Sequence, residues 1–101
     1  MVSEEELFKS LVFTFHITAM QQLGKTADPM TGKTAKDLEQ LLTTLEMLEM
    51  IKNKTKGNLS EEESFFLNKV YSNIKEKYNE QLLSEVNKPK FSVVDTPDKA
   101  D

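Results

Sequence analysis

Lys54-Thr55-Lys56-Gly57-Asn58-Leu59-Ser60-Glu61-Glu62-Glu63 decides how this chain folds. Before it, Leu38, Leu41, Leu42, Leu45, Leu48 and Ile51 recur at three- and four-residue steps. That spacing lines one face of a helix and comes close to a heptad seam. Lysines at 52, 54 and 56 suit the negative end of the helix dipole, and Gly57 suits a helix stop. Ser60 and Glu63 then form a capping box that opens a new helix. Only Gly57 to Leu59 separates stop from start, so the two helices fold back into an antiparallel hairpin.

Working outward, residues 34–56 read as the whole of this leucine-striped helix, with Thr34 and Asp37 as its capping pair. Residues 60–86 read as the next, with Phe66, Leu67, Val70, Tyr71, Ile74 and Tyr78 on its apolar face. Upstream, residues 1–23 read as a first helix, capped by Ser3 with Glu6 and stopped by Gly24. Its stripe of Leu7, Phe8, Leu11, Val12, Phe15 and Ala19 is widened by Phe13, Ile17 and Met20. A helix this apolar on all sides is expected to be central, or shared with another chain. Asp28-Pro29 and Thr31-Gly32 mark an ordered turn before the second helix. We therefore expect an all-α, three-helix, hairpin-type bundle as one domain over residues 1–86. A flexible C-terminal tail, 87–101, carries one apolar knot at Phe91-Ser92-Val93-Val94.

Several of these stretches carry a family likeness. They are the apolar Leu11-Val12-Phe13 helix ending at Leu23-Gly24, the Asp28-Pro29-Met30-Thr31-Gly32 turn and Asp37-Leu38-Glu39-Gln40. Leu45-Glu46-Met47-Leu48-Glu49-Met50 and the Lys54–Glu63 join continue it. Together they resemble a family of small bacterial proteins, number 1844 in the domain-of-unknown-function series. The likeness runs from about Glu6 to Tyr78, and Lys54-Thr55-Lys56-Gly57-Asn58-Leu59 is its most specific part. At Leu41-Leu42-Thr43 the chain is more hydrophobic than the family pattern, which points to a local difference in packing. The resemblance implies a helical, cytoplasmic, bacterial protein and brings no activity with it.

Composition narrows the function classes. The chain has 101 residues, 38% hydrophobic and 30% charged, with a formal net charge of −4. A chain this short buries about 60% of its unfolded surface, so its stability depends on good packing or on a partner. All 13 basic residues are lysine. Without arginine there is no bidentate fork for phosphates or guanine edges, so we expect no nucleic-acid partner. Cysteine is absent, which removes disulfides, thiol catalysis and thiolate metal sites. Glu4-Glu5-Glu6 stands where a secretory signal needs positive charge. The most apolar run, Leu11 to Met20, is about half the roughly 20 residues of a membrane span. We therefore expect a cytoplasmic protein with no membrane partner.

The candidate sites are thin. Ala19 to Thr26 and Ala27 to Thr34 both fit a relaxed phosphate-loop pattern, but each lacks the strand that must feed such a loop. Asp28 would also put negative charge inside the second cradle. His16, the only histidine, has Val12, Phe13, Ala19 and Met20 at the helical ligand positions and no acid to orient it, so a packed histidine is expected. Glu4-Glu5-Glu6 and Glu61-Glu62-Glu63 sit in first turns, where carboxylates complement the helix dipole and fan out instead of converging on an ion. We expect no enzyme, metal or cofactor. The expected function is a protein-interaction module that self-associates through Phe8, Val12, Phe15, Ala19 and Met47. The alternatives are an accessory subunit of a larger bacterial assembly, or a carrier of a small apolar ligand held among the phenylalanines.

Overall fold

The computed structural model describes residues 2–27, 30–32 and 36–87. Three helices follow in order: α1 Glu4–Gln22, α2 Leu38–Lys54 and α3 Glu61–Asn87. Each packs on both others, so the fold is the expected all-α bundle. The polar ends fix its directions. Ser60 of α3's cap donates to Glu5 of α1 at 2.9 Å, and Lys9 of α1 pairs with Glu62 of α3. These links set the starts of α1 and α3 side by side, with α2 running antiparallel to both.

Local chemistry explains the helix ends. Ser3 and Ser60 both form complete capping boxes with Glu6 and Glu63, satisfying first-turn N–H groups that have no helical partner. Gly24, at φ +79, lets α1 close in a full Schellman motif: Lys25 N–H donates to the Met20 carbonyl and Gly24 N–H to that of Gln21. Gly57, also at φ +79, turns the chain after Thr55, and Asn58 N–H donates to the Thr55 carbonyl at 2.8 Å.

The second helix starts later than the sequence suggests. Asp37, in extended backbone, is its N-cap and accepts from the Gln40 N–H. Thr34 lies outside the described residues, as do Asp28-Pro29 and the tail from 88 on. The reason for the later start is a non-local backbone contact. Lys36 bridges Leu23 in antiparallel fashion, and Asp37 N–H donates to the Gln22 carbonyl at 2.7 Å. This strap holds Lys36 and Asp37 against the end of α1, and the helix begins once it is released.

The core is small and shared evenly. Val12 and Ala19 come from α1 and Leu23 from its C-cap, Leu41, Leu45 and Leu48 from α2, and Leu67, Val70 and Ile74 from α3. Leu41 is fully enclosed, whereas its neighbour Leu42 is exposed. Thr44 is the one buried polar residue among those described; its hydroxyl donates to Gln22 Oε1 at 2.7 Å and stands 3.1 Å from the Gln40 carbonyl. Lys52 lies 4.4 Å from the centre of the Tyr71 ring, a cation–π contact across the hairpin.

Two variants test this account by chemical denaturation. Leu48→Ala opens a cavity at a fully buried site and should cost about 2–5 kcal/mol, whereas exposed Glu49→Ala should change little. Gly57→Ala meets no atom within 4 Å yet should still cost about 1–2 kcal/mol, because its left-handed backbone strains any residue with a Cβ. No loss for Gly57→Ala would mean that the turn relaxes freely.

Candidate functional site

The informative surface is α1. No charged residue occurs between Lys9 and Lys25, so its solvent-facing side is marked only by uncharged polar residues, Ser10, Thr14 and Gln21 at helical spacing. Folding resolves this by size. Val12 and Ala19 turn inward with no exposure, while Leu7 (57%), Leu11 (50%), Phe13 (48%) and Ile17 (43%) stay open. Burying a full aliphatic side chain is worth about 1.5–3 kcal/mol, so four half-open ones leave substantial stabilisation unused by the monomer.

This corrects the expected interface. Val12 and Ala19 lie in the core and offer no surface to another chain in this fold. Phe8 and Phe15 are half-buried and pack against that core. Of the five, Met47 is openly exposed, at 45%. The signal that marks the outer side is the weak, uncharged stripe of Ser10, Thr14 and Gln21, which lies opposite Val12 and Ala19.

The open residues fall on two flanks. The Thr44–Gln22 hydrogen bond identifies the α2-facing side of α1, and helical spacing sets Leu7, Leu11 and Thr18 along its outer edge. Met47 lies on the matching outer edge of α2. Phe13 and Ile17 take the other flank, toward α3. There a cleft of about 490 Å³ opens between the two helices, with Phe13, His16, Phe66 and Val70 among its walls. The His16 ring stacks on Phe13 at 5.7 Å, and its Nδ1 is buried without a hydrogen-bond partner. No acidic side chain hydrogen-bonds to this histidine among the described residues, so nothing orients it as a general base.

The remaining candidates resolve into structure. Over the first phosphate-loop match, Ala19 to Gln22 is helix and the following N–H groups are spent on the Schellman bonds, so they form no phosphate cradle. Part of the second match lies outside the described residues. Glu6 and Glu63 accept backbone N–H groups in their capping boxes. Among the described residues, no three His, Asp or Glu side chains gather where they would hold a metal ion. No helix among the described residues is long and apolar enough to cross a membrane.

A family model, described as Domain of unknown function (DUF1844), matches residues 5–80. No curated protein and no solved structure matches the chain.

The matched span begins at Glu5, the hub of the polar link between α1 and α3. Hydrogen bonding with Glu62, then with Ser60, and the nearby Lys9 charge hold its carboxyl below the ordinary 4.5. A depressed carboxylate stabilises the fold above its unfolded pKa, and that contribution is lost as pH falls through the folded value. Glu5→Gln should therefore flatten the decline of stability below about pH 4.5, read as urea midpoints against pH. Parallel pH profiles for wild type and variant would show that the link carries no stability.

Proposed function

Because the chain belongs to the DUF1844 family, whose description names no activity, we propose a function from its surface: a small helical protein-interaction module that pairs with a second copy of itself through α1. The observation that carries this reading is the row of half-open apolar side chains on a helix without charge from Ser10 to Gly24. Exposed apolar patches of this kind mark interaction surfaces on soluble proteins.

The charge pattern favours a second copy as the occupant. Glu4 stands at the start of α1 and Lys25 just past its end, and neither has an ion-pair partner among the described residues. An antiparallel two-fold crossing brings Glu4 of each copy toward Lys25 of the other, opposes the helix dipoles and sets Leu11 beside Thr18 of the second copy. Met47 borders the same ridge. A ridge of 19 residues is about 28 Å long and about 10 Å wide. Pairing along it alone buries less than the roughly 800 Å² per partner of a standard interface, so the dimer is weak and concentration-dependent. The reading is of a cytoplasmic binding module without catalytic groups, and without a nucleic-acid or membrane partner.

The exposed Leu83 and Val86 at the end of α3 support a second reading, an accessory subunit of a larger bacterial assembly that docks there. Sedimentation equilibrium across the micromolar range separates the two. Self-pairing predicts a mass rising from monomer toward dimer, with Leu11→Glu held at monomer and Leu83→Glu unaffected, all three keeping wild-type helix content. A wild-type chain that stays monomeric at high micromolar concentration removes the self-pairing proposal.

A further inference from the structure

The cleft between α1 and α3 lies on the opposite flank of α1 from the pairing ridge, and its polar groups are not explained by pairing. Phe13, Phe66 and Val70 make an apolar wall, and the volume of about 490 Å³ falls within the range of small-molecule sites. The Glu5–Ser60 and Lys9–Glu62 links run α1 and α3 in parallel, so His16 stands level with Lys69 and Val70.

His16 Nδ1 is sealed from solvent and has no acceptor beside it. A buried N–H without an acceptor is costlier than a buried lone pair without a donor, so we assign the ring proton to Nε2. Nε2 is not sealed, and it makes no hydrogen bond among the described residues. His16 therefore presents an N–H donor. Lys69 also lines the cleft and has no ion-pair partner among the described residues. Asn73, one turn further along α3, adds an amide. We infer that this cleft binds a small free monocarboxylic acid, its apolar body on Phe13, Phe66 and Val70 and its carboxylate on His16 Nε2–H and the Lys69 ammonium. Glu76 lies two turns beyond Lys69 at the far end of the same cleft, where it repels a second negative charge. That selects monoanions over dicarboxylates.

The test uses the full chain, with octanoate as probe and octanamide as its uncharged match, followed by amide and imidazole chemical-shift titration. Octanoate should bind saturably, with shifts confined to Phe13, His16, Phe66, Lys69 and their neighbours, and octanamide about tenfold more weakly. Lys69→Gln, at an exposed position, should keep the fold and abolish that preference. Leu11→Glu should bind octanoate as wild type does, so a failure of self-pairing leaves this result readable. Equal binding of octanoate and octanamide, shifts centred elsewhere, or no saturation overturns the proposal.

Discussion

The structure depends on which side of α1 faces inward. Three helices meet closely because α1 offers Val12 and Ala19 to the core, two of its smaller apolar side chains, both without exposure. Opposite them stand the larger residues that make up the interior: Leu41 and Leu48 from α2, and Leu67 and Ile74 from α3. Interiors reward dense packing of complementary volumes over sheer hydrophobic bulk. A small inner edge on one helix lets its neighbours fill the space with leucine and isoleucine. The consequence is that Leu7, Leu11, Phe13 and Ile17 are left outside.

Polar contacts hold that orientation from both ends. At one end Glu5, Lys9, Ser60 and Glu62 tie α1 to α3. At the other, the Leu23–Lys36 bridge and the Gln22–Thr44 hydrogen bond tie it to α2. Lys36 then reaches across to Gln81 and Glu85, so the longest helix is pinned to the same end of the bundle. Exposed ion pairs add little stability individually. Their role here is geometric, because they fix the rotation of α1 and thereby decide which apolar residues face solvent.

Much of this was legible in the sequence, and the failures have physical reasons. The hairpin at Gly57, both capping boxes and the Gly24 stop rest on local backbone chemistry, which depends on neighbouring residues alone. The leucine stripe of α2 was readable because Glu39, Glu46, Glu49 and Lys54 mark its outer side. Between Lys9 and Lys25, α1 carries only the uncharged markers Ser10, Thr14 and Gln21, a weaker signal than charge, and its apolar stripe alone does not tell that Val12 and Ala19 face inward. The late start of α2 was equally invisible, since it follows from a contact between Leu23 and Lys36 that local propensity does not encode. The cleft beside His16 needed the parallel register of α1 and α3, which comes from contacts more than fifty residues apart.

We propose that α1 serves two interfaces at once, a core on its inner edge and a second copy on its outer ridge. The most direct measurement is an isotope-filtered nuclear Overhauser experiment on an equimolar mixture of carbon-13-labelled and unlabelled chains at high concentration. The account predicts intermolecular contacts from the Leu11 methyls to Thr18 of the other copy, and none from Val12 or Ala19. Intermolecular contacts from Val12 or Ala19 would contradict the inward orientation of α1, and an absence of any from Leu7 and Leu11 would contradict the pairing.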